Sequence, residues 1–359
     1  MQKTINQRLF LDIHAIQTMP PANINRDDTG SPKTAQYGGV TRARVSSQSF
    51  KRAMRKYFND NGDIGNVGIR SLEIVKYIAN KIIEKDESIS LENAMDMAEK
   101  TLNAAKISTK DQKAKALFFI SDKQANKLAK ASIDQITDRK ILQDILNEDC
   151  SIDIALFGRM VADDPSLNED ASSQVAHAIS THAIQSEFDF FTAVDDLAPE
   201  DNQGAGMLGT VEYNSSTLYR YANIAIHDFY RQLSDKEGTI NATKLFLEAF
   251  VKSMPTGKIN TFANQTLPQA VVVSLRTDRP LNMVSAFEEP IKSENGYVEK
   301  SIERLFSEYT KYDKILDKPI FTGYLLVNDQ RVNEIGKAEE NLKELIADLE
   351  TELNKNLED

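Results

Sequence analysis

The chain has 359 residues, 41% hydrophobic and 27% charged, enough to bury a large core and outside the composition of disordered chains. Its single cysteine, Cys150, excludes an internal disulfide and a cysteine-based zinc site, and fits a reducing, cytoplasmic setting. The net charge of −11 argues against a nucleic-acid partner for the body taken as a whole.

Residues 7–16 alternate, with Leu9, Leu11, Ile13 and Ala15 on one face and Phe10, Asp12 and His14 on the other, as in a half-buried strand. Asp12 and His14 also interrupt the first apolar stretch, so no secretory signal is expected. Pro20-Pro21 is expected to end the strand. Residues 20–37 form a loop long enough to be functional. Gly38-Gly39 then precede an alternating segment that sets Arg42 and Arg44 against Thr41, Ala43 and Val45. Ser46 or Ser47 caps a helix in which Phe50, Ala53, Met54, Tyr57 and Phe58 make the apolar face.

Residues 66–148 read as a helical insert, with Leu72, Val75, Ile78, Ile82 and Ile83 on one stripe and Ser90 capping a helix from about Leu91. Strand texture returns at 152–157, 175–184, 188–194 and 218–226, where Arg220 opposes Tyr219 and Tyr221. Residues 243–254 are predicted helical, and 270–275 a buried strand far too short to span a bilayer. From about Lys337, Leu342, Leu345, Ile346, Leu349 and Leu353 mark an amphipathic terminal helix. This order is that of an α/β (α+β) fold, one sheet interrupted by a helical subdomain.

Charge is distributed unevenly. Residues 29–59 hold seven bases (Lys33, Arg42, Arg44, Lys51, Arg52, Arg55 and Lys56) and no acid, so that stretch is +7 and the remaining 328 residues sum to −18. On a helix, Gln48, Lys51, Arg52 and Arg55 share an arc opposite Phe50, Met54 and Tyr57. Ser46 to Ser49 add hydroxyls and exposed N–H groups at the helix start, and such donors together grip phosphate oxygens. The plainer alternative is a solvated basic face.

Other features carry less. Gly204, Gly206 and Gly209 spell a formal G-x-G-x-x-G, but Pro, Asp and Asn precede them and an alternating segment follows, so a hairpin tip bearing Met207 and Leu208 is expected in place of a dinucleotide site. His177 and His182 are five apart, a spacing that suits no shared metal ion; His14 and His227 read as strand histidines. Asp27-Asp28 and Asp195-Asp196 are loop acids that could hold a divalent cation; Arg26 beside the first pair suggests a loop-shaping ion pair. No nucleophile–base arrangement is visible, and no catalytic residue, metal or cofactor is assigned. Lys123, Lys127 and Lys130 line one side of a helix in the insert, most simply as a solubilising face.

NRDD at 25–28, YGG at 37–39, RVSSQSFKRAMRK at 44–56, DIALFGRM at 153–160, AHAISTH at 176–182, FFTAVDDL at 190–197 and LGT with LYRYANI at 208–224 resemble the CasC family. That family forms the repeated backbone subunit of Cascade, the type I-E CRISPR surveillance complex. The resemblance implies an RRM-like palm (1–60, 150–198 and 222–330), a helical finger insert (61–149), a β-hairpin thumb (199–221) and a C-terminal helix (331–359). It implies a non-catalytic protein that oligomerises along a CRISPR guide RNA beside other Cascade subunits, presents the guide to target DNA, and folds each thumb over a neighbour's guide. The implied RNA contacts are Arg26, Ser46, Gln48, Ser49, Lys51, Arg52 and Arg55, with Gly158, Arg159 and Met160 lining the palm and Met207 and Thr210 on the thumb. Arg42, Arg44 and Arg220 join them from the strands. The second reading is a metal-dependent endoribonuclease that cuts guide-paired RNA through Asp27 and Asp28.

Overall fold

The computed structural model describes residues 8–62, 67–193, 196–197, 207–328 and 330–357. Strand β1 (Phe10–Ala22) lies at the centre of the sheet, and both its faces are covered. Leu9, Leu11, Ile13 and Ala15 enter one core, while Asp12, His14 and Ile16 are equally buried on the other side. The expected half-buried strand is therefore a fully buried one. Its polar residues are satisfied internally: Tyr221 Oη donates to Asp12 at 2.6 Å, and His14 Nδ1 bonds Tyr219 Oη at 2.9 Å. Pro20-Pro21 does not end β1. The register slips between Met19 and Ala22, and such an irregularity accommodates residues that lack a ladder donor.

β2 (Thr34–Tyr37) and β3 (Val40–Val45) form a hairpin through Gly38 (φ +59°) and Gly39 (φ +77°), the left-handed pair that a two-residue turn requires. Ser46 is the N-cap residue of α1 (Ser47–Asn61), though its side chain makes no capping bond. Phe50, Met54 and Phe58 bury the predicted face.

The insert follows as β4 (Ile69–Ser71), α2 (Ile74–Lys85), α3 (Leu91–Ala104), β5 (Thr109–Lys110), β6 (Lys113–Ala114), β7 (Phe118–Ile120), α4 (Asp122–Ile133) and α5 (Arg139–Asn147). It has a core of its own around Val75, Ile78, Ile82, Leu102, Leu128 and Leu142. Leu72, placed on the apolar stripe by its spacing, is exposed instead. Ser90 Oγ caps α3 by accepting from Asn93 N at 3.3 Å.

Residues Ile152–Phe157, expected as a strand, form helix α6. Six mostly apolar residues, five of them buried, show no period that separates strand from helix, and Ser151 before and Gly158 (φ +79°) after bound a helix. The segment 175–184 resolves into two short strands, β8 (Ser173–Val175) and β9 (Ala178–Ser180). β10 (Glu187–Ala193) pairs with the first third of β11 (Met207–Ala225), whose remainder runs beside β1. The projecting hairpin therefore comprises 187–193 and 207–213, and residues 214–221 belong to the main sheet, a shift from the expected 199–221. Gly204 and Gly206 lie outside the described residues.

α7 (Ile226–Leu233) holds His227, so that histidine is helical, bonded to the backbone of Leu9. α8 (Lys236–Lys252) begins earlier than predicted. α9 (Ile259–Phe262), the buried β12 (Pro268–Arg276), α10 (Val298–Tyr312), β13 (Phe321–Leu326), β14 (Lys337–Ala338) and α11 (Leu342–Asn356) complete the chain. Among the described residues ten strands form one sheet in the order β14-β13-β12-β1-β11-β9-β3-β2, with β8 and β10 also on β11; only β13 and β14 pair in parallel. Helices α1, α6, α7, α8 and α11 cover one face, and α10 packs on the other. No helix among the described residues is long and apolar enough to cross a membrane.

Candidate nucleic-acid interface

Helix α1 turns Ser49, Arg52 and Lys56 toward a cleft of about 1160 Å³. The loop after β1 forms a second wall with Arg26, Asp27 and Asp28, and the end of α8 with the segment after it a third with Lys252, Lys258 and Gln265. Five bases meet three acids here, Asp60 being the third, in a chain whose overall balance is strongly acidic. Among the described residues Arg26, Arg52, Lys56 and Lys258 make no ion pair, while Lys252 pairs with Glu248. Unneutralised cations around a concave, solvent-open surface attract polyanions.

Asp27 is occupied within its own loop. Its Oδ1 accepts from Thr29 Oγ1 at 2.7 Å, Thr29 N at 2.9 Å and Ser31 N at 3.0 Å, and the Thr29 hydroxyl chiefly holds its pKa below the usual carboxylate range. These bonds shape the loop, and no Arg26–Asp27 ion pair is made among the described residues. Asn25 fastens the loop to α1 by accepting from Ser46 N at 2.7 Å.

The candidate contacts divide between surface and interior. Gln48 is exposed at the start of α1, and Ser46 is buried beneath it. Lys51 is half-buried with its ammonium 5.4 Å from the centre of the Phe157 ring, and burial lowers its pKa. Arg55 turns away from the cleft to the insert: Nε meets Asp153 at 2.9 Å, Nη2 donates to Gly68 O at 3.2 Å, and the guanidinium lies 4.4 Å from the Phe119 ring centre. Sequence proximity offered no acid to neutralise α1, but folding brings one from 98 residues away.

Three of the predicted arginine contacts are internal. Arg42 is fully buried and donates to the carbonyls of Tyr37, Ser180, Phe287 and Glu288. Arg159 donates to Leu167 O and Leu146 O, tying the insert to the sheet domain. Arg220 is 2% exposed. Alternation correctly separates the two sides of a strand, yet says nothing about whether helices cover a given side. Arg44 is half-buried, bonded to Thr34 O at 3.0 Å and His177 Nδ1 at 3.1 Å. Gly158 turns the chain so that Met160 stands 84% exposed.

On the hairpin, Phe188, Phe190 and Leu208 are exposed and share a face with Thr210. Phe191 lies over Gly209, where a Cβ would come within 2.4 Å of its ring, so the third glycine of the motif serves hairpin packing. Met207 pairs with Ala193; its side chain lies outside the described residues, as does Asp195. His182 is a core histidine, accepting from Thr217 N at 3.0 Å and stacked on Tyr297. No group of three or more possible metal ligands occurs among the described residues. Lys127 is paired with Glu148 and Asp149.

Lys252, Lys258 and Gln265 were not singled out by sequence reasoning, and Lys56 was noted only as one base of the acid-free stretch. One signal was available in SMPTGK at 253–258, where Gly257 passes so close to Ile24 that a Cβ would lie 2.3 Å from its carbonyl oxygen. A glycine forced by close approach marks a loop held against another wall.

An antiparallel α+β sheet carrying a helical insert, a projecting hairpin and a basic cleft defines the architecture. The chain belongs to the family of CT1975-like proteins, whose model matches residues 11–350. Two solved structures are similar. A chain of a "CRISPR RNA-guided surveillance complex, pre-nicking" has 32% identity and a TM-score of 0.88, covering 96% of this chain and 100% of that one. A chain of a "CRISPR RNA-guided surveillance complex" has 29% identity and a TM-score of 0.65, covering 96% and 99%. No curated protein matches the sequence. The CasC resemblance read from the motifs agrees with the family and with both structures.

Proposed function

We propose that this chain is a non-catalytic RNA-binding subunit of a CRISPR RNA-guided surveillance complex, the type I-E backbone protein of which several copies line one guide. The observation that carries this reading is the cleft that gathers Arg26, Ser49, Arg52, Lys56, Lys252 and Lys258 on an otherwise acidic body. Guanidinium and ammonium groups there would bind successive guide phosphates, leaving base edges free to pair with target DNA. Gln48, Met160 and Thr210 are exposed and available to the same strand. The hairpin of β10 and β11, with Phe188 and Phe190 outward, would be the thumb that reaches a neighbouring copy's guide.

The chain purified from cells should carry nucleic acid, seen as an absorbance ratio far above that of a protein with no tryptophan. Assembled on a guide with Mg²⁺, it should bind complementary DNA or RNA and leave both intact. Asp27 and Asp28 do line the cleft, which gives the endoribonuclease reading its one structural foothold. Regular RNA cuts that vanish in Asp27→Ala/Asp28→Ala would establish that reading in place of the scaffold.

A further inference from the structure

We propose that Arg220 is a positioning residue for the basic cleft: it does not touch the bound polyanion, but holds the α1 wall and the wall at the end of α8 in register from beneath. This rests on the RNA-binding reading of the cleft given above. The guanidinium is sandwiched between Phe50 at 4.3 Å and Phe250 at 4.4 Å from the ring centres. Phe50 is the neighbour of Ser49 and lies two residues before Arg52, so the first ring belongs to the wall built by α1. Phe250 lies in the last turn of α8, two residues before Lys252.

The hydrogen bonds extend the same linkage. Nη2 donates to Phe250 O at 2.6 Å, placing a cation on the carbonyl end of α8, where the helix dipole favours positive charge. Nη1 donates to Gln17 Oε1. Gln17 in turn donates from Nε2 to Thr266 O at 2.8 Å and Thr266 Oγ1 at 3.2 Å, and Thr266 Oγ1 donates to Thr18 O at 2.6 Å. Thr266 adjoins Gln265, which lines the cleft. A single buried side chain thus connects α1, the end of α8 and the 263–267 segment.

Charge adds to this connection. No carboxylate pairs with Arg220 among the described residues, and its Nε has no partner there. Burial pulls its pKa down to about 9, which still leaves it cationic at neutral pH. A buried cation with no counter-ion is costly for a fold, and beneath an anion cleft its field points the useful way. Walls fixed before binding also spare the ordering cost that association otherwise carries.

The test uses the full chain, fluorescein-labelled single-stranded RNA and anisotropy titrations over a range of salt. Arg220→Met should remain folded by circular dichroism but bind about tenfold more weakly, the equivalent of one charge-assisted hydrogen bond. The slope of log K against log salt should not change, because no phosphate contact is removed. A slope flattened by about 0.7 would make Arg220 a direct contact and overturn the proposal. Unchanged affinity in the folded variant would reduce it to a core brace, with the same consequence. If Arg220→Met does not fold, Thr266→Val removes the hydroxyl that accepts from Gln17 and donates to Thr18 O, leaving the Gln17 bond to Thr266 O in place, and should weaken binding several-fold at constant slope; wild-type affinity there overturns the proposal. Arg52→Glu/Lys56→Glu is the control. If that pair leaves RNA affinity intact, the cleft reading itself has failed; if it abolishes binding while Arg220→Met and Thr266→Val do not weaken it, only this inference has.

Discussion

Replacing Arg55 by Ala separates a structural basic residue from an RNA-binding one on the same helix. Its Nε pairs with Asp153 at 2.9 Å, the two side chains being 21% and 0% exposed. Truncating Arg55 leaves Asp153 in the interior with only Ser151 Oγ at 2.6 Å and Gly68 N at 2.8 Å as partners. Breaking a buried pair from one side costs about 3–5 kcal/mol. The two surviving hydrogen bonds put the expected loss near the lower figure, about 3 kcal/mol. Because Gly68 and Phe119 belong to the insert side of this contact, the junction between insert and sheet should loosen first. Urea unfolding followed by circular dichroism measures the loss. Asp153→Asn in the Arg55→Ala background should recover part of it, since a neutral amide is cheaper to bury alone. Stability within about 0.5 kcal/mol of wild type, joined to a salt slope reduced by about 0.7, would refute the reasoning and return Arg55 to the RNA contacts.

Three other outcomes are expected. Burial pushes Asp12 up from 3.8 to about 7 and pulls His14 down from 6.5 to about 3. Folding therefore favours protonated Asp12 and excludes protonated His14, so the Asp12 contribution falls as pH rises through the range from about 4 to 7, and the His14 contribution falls as pH drops from 6.5 toward 3. Melting temperature against pH should lose its descending upper limb in Asp12→Asn and its acid limb in His14→Gln; profiles parallel to wild type in both would contradict this. Gly38→Ala meets φ +59° and a Cβ 1.6 Å from Glu288 O, so hydrogen exchange should rise across residues 34–45. Gly30→Ala, at φ +92° with open space around it, should cost only about 1–2 kcal/mol and leave that hairpin protected.

Much of the fold was legible because local pattern and tertiary context agree. The α1 face of Phe50, Met54 and Phe58, the insert with its capped α3, the buried β12 and the terminal helix all follow from apolar spacing. Where context overrides pattern, reading failed. Asp12 and His14 look solvent-facing but are satisfied by Tyr221 and Tyr219, each more than 200 residues away. The run Ile152–Phe157 had no period to interpret. At the candidate site, the basic character of α1 was visible, but its division was not. Whether an arginine grips a ligand or a carbonyl depends on which elements pack over it, as Arg42, Arg159 and Arg220 show beside the exposed Arg52. Lys252 and Lys258 escaped notice because their wall joins α1 only through the fold.

The cleft can be tested through the salt dependence of single-stranded RNA binding in Arg52→Ala/Lys56→Ala. Both side chains are exposed and unpaired among the described residues, so thermal unfolding should match wild type. If each holds one phosphate, binding weakens and the slope of log K against log salt flattens by about 1.4, two contacts at roughly 0.7 each. An affinity and slope identical to wild type would contradict the assignment of this cleft to RNA.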